Sequence, residues 1–245
     1  MYVKHTNRIL LWFKIAWAAM WSRSNRIFYD RISSIYDEVY VEHRVHAESV
    51  LKILQNIFSN RPDKISVLDL GCGTGMLSLT LADSGFEVVG IDISIPALAI
   101  LRQRNSMVNV IQADAGFLSF PDESFDAVVC LGAWRHFMDT GKILEEICRV
   151  LNRDGVFIVG YFPPAIAGIF NLNDDKLGNS LIWLYCLIIR RLRYLDRVDF
   201  AFERETKKAI QKQFKTFYRE MSGSDKHILV ARRPLTRAKD FRRQG

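Results

Sequence analysis

Val67-Leu68-Asp69-Leu70-Gly71-Cys72-Gly73-Thr74-Gly75 carries the reading of this chain. A short apolar run passes straight into a glycine-rich turn, and Met76–Asp83 behind it has the pattern of a helix. Glycines permit positive φ and let a ligand approach the backbone with no Cβ in the way. The spacing is Gly-x-Gly-x-Gly, tighter than the Gly-x-Gly-x-x-Gly of dinucleotide-binding turns, so a different ligand is expected.

Outward from this loop, strand-like and helix-like runs alternate. Ile65–Leu70 reads as the first strand and Glu87–Ile91 as the second. Ser94–Arg104 is a helix with Ser94 as N-cap and Pro96 in its first turn. Val108–Gln112 and Phe125–Leu131 are the third and fourth strands, Gly141–Leu151 a helix and Val156–Tyr161 the fifth strand. Such alternation implies right-handed crossovers and a parallel sheet with helices on both faces. Lys215–Glu220 and Lys226–Arg232, separated by a short Gly/Ser turn, read as a hairpin. The expected fold is a Rossmann-like, doubly wound α/β sheet of seven strands with an antiparallel edge hairpin. It forms a single domain with an N-terminal helical extension.

Two further acids follow strands. Asp92 ends the second, where a carboxylate can accept hydrogen bonds from both hydroxyls of a ribose. Asp114, after the third, is placed to accept the amine of an adenine. Taken with VLDLGCGTG (67–75), GIDIS (90–94), QADA (112–115), FDAVVC (125–130) and EEICRVLNRDGVFIVGYF (145–162), the chain resembles the class I S-adenosylmethionine (SAM)-dependent methyltransferases. The resemblance covers residues 28–162 well and 214–233 loosely. It implies that Asp69, Gly71, Cys72 and Gly73 lie about the methionine portion of SAM, Asp92 and Ile93 at the ribose, and Asp114 and Ala115 at the adenine. Leu131 and Gly132 would line the methyl-transfer face. The segment Phe28–Asp37, with its two Tyr-Asp pairs, resembles the entry of the ubiquinone/menaquinone C-methyltransferase-like branch. There Tyr29 and Tyr36, seven apart on one helical face, would close the site.

Methyl transfer from a sulfonium asks the protein mainly to align a nucleophile and exclude water. The base candidate is His136, just beyond the fourth strand, with Trp134 and Arg135 as substrate contacts. A purely structural role for each stands beside the functional one. No metal is expected: the five histidines lack ligand spacing, and the His43/His46 pair has no third partner nearby.

Composition narrows the partners. With 49% hydrophobic and 25% charged residues the 245-residue chain can bury a large core, and four cysteines exclude a disulfide scaffold. The net charge of +7 is uneven: residues 1–26 hold five Lys/Arg and no acid, and residues 190–245 hold seventeen against seven, leaving an acidic body. Ile9–Met20 (ILLWFKIAWAAM) is about 20 Å of helix, too short for a bilayer core near 30 Å. Three readings stand open for it: a helix on a membrane surface, a helix packed on the protein or a second chain, and a signal or anchor. A basic N-terminal helix (1–26), a methyltransferase domain (27–233) and a basic tail (234–245) are the expected divisions. Residues 163–205 would be a lid containing the apolar run 181–189, with arginines up to 193 suited to headgroup phosphates. The expected acceptor is a lipophilic or amphiphilic small molecule of quinone, isoprenoid, polyketide or phospholipid type. The expected location is cytoplasmic, peripheral on the inner face of a membrane. RNA methylation is the runner-up, disfavoured because Leu131-Gly132-Ala133 stands where an Asn/Asp-Pro-Pro-aromatic motif is expected. A non-catalytic SAM-binding scaffold is the third.

Overall fold

Seven consecutive residues of one strand, Phe125–Leu131, are buried, which marks the centre of a sheet covered on both sides. The computed structural model describes residues 8–40, 43–105, 107–160, 200–217 and 228–234. Its strands are β1 (Ser66–Leu70), β2 (Glu87–Asp92), β3 (Asn109–Gln112), β4 (Phe125–Leu131), β5 (Leu151–Gly160), β6 (Phe214–Phe217) and β7 (Ile228–Pro234). They lie in the order β3-β2-β1-β4-β5-β7-β6. The first five are parallel, and β7 runs antiparallel to both β5 and β6.

The helices are α1 (Arg8–Trp21), α2 (Asn25–Ile32), α3 (Tyr36–Val39), α4 (His43–Ile57), α5 (Met76–Asp83), α6 (Ile95–Arg104), α7 (Thr140–Val150) and α8 (Phe200–Gln213). Alternating strand residues serve the two faces. Ala127, Val129 and Leu131 of β4 join Val50 and Leu54 of α4, Leu81 of α5 and Leu101 of α6. Val128 and Cys130 join Leu144 and Ile147 of α7 and Ile210 of α8. Each such aliphatic side chain contributes roughly 1.5–3 kcal/mol by leaving water.

Local chemistry sets two helix ends, the first of them as expected. The Ser94 hydroxyl accepts from the Ala97 N–H, with Pro96 in the first turn of α6. The Asp139 carboxylate caps α7 through the Lys142 N–H. Several boundaries moved. β5 begins at Leu151 rather than Val156, because α7 ends one residue earlier and its C-cap is already extended. α8 lies where the end of the lid was expected, its polar sequence hiding the buried face of Thr206 and Ile210. The rest of that insertion (163–199), the apolar run 181–189, the whole hairpin turn (221–225) and the tail beyond 234 lie outside the described residues.

At the amino end, α1 buries Leu11, Ile15 and Ala18 and meets α2. This is the packed-helix reading for one of its faces. α2 and the 3-10 turn Ser33–Ile35 then cross to α6. Among the described residues no helix is long and apolar enough to cross a membrane.

Candidate active site

The carboxyl ends of β1, β2 and β4 open into one cavity of about 640 Å³, within the usual size range for small-molecule sites. Its floor is the glycine loop. The Gly71 and Cys72 N–H groups both donate to the Ile91 carbonyl, at 2.8 and 3.0 Å, fastening the loop to β2. Gly71 has φ +73°, and a Cβ there would lie 2.4 Å from that of Ala133, so this glycine lets two loops touch. Gly73 differs. At φ +54° a Cβ would meet nothing within 4 Å, which leaves bare backbone on the cavity wall.

Asp92 stands at the tip of β2. Its Oδ2 accepts the Gly73 N–H at 2.9 Å and its Oδ1 the Ser94 N–H at 2.8 Å. Burial raises its pKa, opposed by these N–H bonds. A carboxylate offers about four lone-pair sites, so these bonds leave capacity for a ligand's hydroxyl. Ile93 and Ala115 line the same wall. Asp114 also lines it, held by a 2.8 Å bond from the Gly116 N–H to Oδ1. The bare wall at Gly73 and the buried acid beside it fit an adenosyl ligand.

Three loop and strand residues are turned elsewhere. The Asp69 side chain points to the α5 side of the sheet, where Oδ2 accepts the Ser78 hydroxyl at 2.6 Å, and it does not line the cavity. Its burial pushes the carboxyl up to about 7. Cys72 is buried beneath the loop, where a Cβ on Gly90 would lie 2.8 Å from its sulfur. Leu131 belongs to the core and, like Cys72, is absent from the wall, whereas its neighbour Gly132 is present.

The roof comes from the amino-terminal segment. Tyr29 and Tyr36 both reach the cavity, with ring centroids 6.2 Å apart. They do so from α2 and α3 across the intervening 3-10 turn, not from one continuous helix face. Tyr40 stacks on Tyr36 at 4.4 Å, and His43 lies 5.0 Å from Tyr40. A strut fixes this roof to the floor: Asp37 accepts from the Thr74 hydroxyl and pairs with Arg104, which also donates to the Thr74 carbonyl.

The three candidates after β4 separate sharply. Trp134 is fully buried, its N–H 3.3 Å from the Thr206 hydroxyl and its ring against Phe137 and Phe157. It cannot touch a substrate, because the helical turn at 134–136 points it into the core under α8. Arg135 and His136 face the cavity. His136 Nε2 is 2.7 Å from the Tyr29 hydroxyl, and among the described residues its buried Nδ1 has no partner. Burial, with the nearby Arg135 charge, pushes its pKa down to about 3, so the ring is neutral. His43 is likewise held down, to about 4. Tyr36 is held well above the ordinary phenol value by burial. The His43 and His136 rings and the Tyr36 phenol are thus neutral, with the Arg135 charge beside them.

Sequence reasoning missed Asn25, Tyr40 and His43. Asn25 lines the cavity and donates to the His136 carbonyl at 3.1 Å, while its buried Oδ1 has no partner among the described residues. No spacing in the sequence links positions 111 apart. Among the described residues no cluster suits a metal ion.

Comparison with known proteins follows the same outline. Residues 68–159 match the family model described as a methyltransferase domain. The chain is 45% identical over 112 residues to a demethylmenaquinone methyltransferase of Thermus thermophilus, covering 43% of this chain and 51% of that one. It therefore spans about half the length of that relative. Against the demethylmenaquinone methyltransferase of Clavibacter sepedonicus it is 33% identical over 175 residues, 69% of this chain and 71% of the other. The crystal structure of protein PH0226 from Pyrococcus horikoshii is alike in fold alone, with TM-score 0.57 at 22% identity over 81% of this chain and 98% of that one. Identity of one residue in three across more than two thirds of both chains is more than a shared architecture, and the chain belongs to the SAM-dependent methyltransferases.

Proposed function

We propose that the protein transfers a methyl group from SAM to a lipophilic, ring-bearing small molecule of quinol type. The observation that carries this reading is a cavity in which Asp92 and bare Gly73 face an aromatic roof of Tyr29, Tyr36, Tyr40, His43 and His136. The likeness to two demethylmenaquinone methyltransferases supports a quinone-related acceptor.

In this reading Asp92 accepts the ribose hydroxyls and Gly71 and Gly73 bring backbone to the methionine end. Ile93, Asp114 and Ala115 hold the adenine. When bound, SAM supplies an activated methyl group on a sulfonium. The chain's own part is alignment and dryness. Tyr36 and Tyr40 shut the roof, and the Asp37–Arg104–Thr74 strut keeps it down.

His136 is the acceptor post. In the tautomer whose Nε2–H donates to the Tyr29 oxygen, Nδ1 keeps an open lone pair for an acceptor's hydroxyl. Asn25 Oδ1 offers a second acceptor at the same end. With its pKa held down to about 3, the ring accepts a hydrogen bond from that hydroxyl rather than its proton, and so fixes the acceptor ring in line with the methyl group.

The test is a radiolabel-transfer assay with reduced quinone analogues carrying a short isoprenoid tail, paired with calorimetry of SAM binding. Label should appear in the quinol product and not when the ring hydroxyls are methylated. Binding of SAM with no transfer to any quinol would overturn the acceptor, and absence of SAM binding would overturn the whole reading.

A further inference from the structure

One face of α1 carries large apolar side chains that are exposed. Leu10, Phe13, Trp17, Met20 and Trp21 are each at least half exposed. At 3.6 residues per turn they fall within an arc of about 100°. Leu11, Ile15 and Ala18, on another side of the same helix, are buried. A helix that is apolar on both sides is stable only if both are covered, and an apolar surface exposed this way marks a docking site.

The chemistry around the stripe is specific. Exposed Lys14, Arg23, Arg26 and Arg31 border it, and the first acid in the chain is Asp30. The Arg31 guanidinium sits 5.4 Å over the Trp17 ring and donates to the Ser22 hydroxyl, so a cation is held directly beside an interfacial aromatic. Indole rings favour headgroup depth, and clustered cations favour anionic lipid. The excess of cations, with no acid before Asp30, is what favours anionic lipid over a second copy of the chain, which would bring the same positive charge to the contact.

The stripe also leads somewhere. It ends at Met20 and Trp21, and the next residues, Arg23, Ser24, Asn25 and Arg26, line the rim of the cavity. An acceptor dissolved in a leaflet would meet that rim without crossing water.

We infer that α1 docks the protein on an anionic lipid surface through Leu10, Phe13, Trp17, Met20 and Trp21, with its cations on the headgroups and the cavity rim at the interface. This deepens the lipophilic-acceptor reading and rests on it only for what the surface delivers.

The experiment uses the full chain and sucrose-loaded vesicles, either phosphatidylcholine alone or with one third phosphatidylglycerol. The wild type should sediment with the anionic vesicles and at least tenfold less with the neutral ones. The double variant Trp17→Ser/Trp21→Ser should bind the anionic vesicles at least tenfold more weakly, with unchanged melting temperature and SAM affinity. No sedimentation of the wild type, or equal sedimentation of the variant, would overturn the inference. So would a concentration-dependent dimer in vesicle-free buffer that the variant dissociates, since a second copy would then own the stripe. A variant that melts early is replaced by Trp17→Gln alone, judged by the same criteria. SAM affinity, read on the same samples, reports on the methyltransferase reading separately.

Discussion

Gly71 and Gly73 share a motif and a positive φ, yet the structure gives them different work. Gly71→Ala drives a methyl against Ala133 at 2.4 Å, in addition to the roughly 1–2 kcal/mol cost of left-handed backbone. It should lower the melting temperature clearly. Gly73→Ala meets no protein atom within 4 Å and should cost only the backbone term. Its methyl enters the space assigned to SAM, so calorimetry should show affinity down by tenfold or more with the fold nearly intact. Equal SAM affinity would remove Gly73 from the binding wall. At the other end, Tyr29→Phe deletes the partner of His136 Nε2 and frees the ring to turn. Turnover should fall on the order of a hundredfold, the scale set by a misplaced acceptor, while SAM affinity holds. The place of Asp92 on the cavity wall was legible because an acid at a strand tip beside such a loop lies at the carboxyl-end crevice. Asp69, two residues before the loop, was expected there too, but strand alternation turns its carboxyl to Ser78 on α5.

At the scale of elements, the roof is held by few interactions. α2, the 3-10 turn and α3 meet the body on α6, and the Asp37–Arg104 pair ties them to the loop. Both side chains are partly exposed, and such pairs contribute about 1 kcal/mol or less. Arg104→Gln should therefore weaken SAM binding about two- to fivefold, the equivalent of that energy, and speed proteolysis within residues 23–40. If protection and affinity stay the same, the strut does not govern closure. The parallel strands were readable from their apolar runs and intervening helices, as β1 to β4 lie within a residue or so of their expected bounds. α4 and α8 escaped notice. Each mixes polar residues into an apolar buried face, with His43, His46 and Ser49 beside Val50 and Leu54 in one and Thr206 beside Ile210 in the other, and those polar residues read as solvent-facing until the partner surface is known.

For the whole molecule, buried titratable groups set the response to pH. Asp69 is held up to about 7 against 3.8, so the folded chain binds that proton more tightly. Its contribution to stability is complete below about pH 4 and is lost as pH rises through 7. Asp69→Asn, which keeps an acceptor for Ser78, should melt higher than wild type at pH 8 and show no gain at pH 4. An equal shift at both would mean that the carboxyl is not titrating. His136 and His43 act oppositely. Held down to about 3 and about 4 against 6.5, they contribute fully above pH 6.5 and lose that contribution as pH falls. Melting curves of His136→Asn should accordingly depend less on pH between 4 and 6.5 than those of wild type.

The order of the elements, the glycine loop and the acid at the tip of β2 are properties of neighbouring residues, since propensity, alternation and turn chemistry act over a few positions. That is why family and cofactor could be read from the string of letters. The pairing of Tyr29 with His136, of Asn25 with the same loop, and of Asp37 with Thr74 and Arg104 joins positions 37 to 111 apart. So does the withdrawal of Trp134 beneath α8. These were decided only when the chain closed on itself, because burial and hydrogen-bond partnership depend on which surfaces meet, and local sequence carries no record of that.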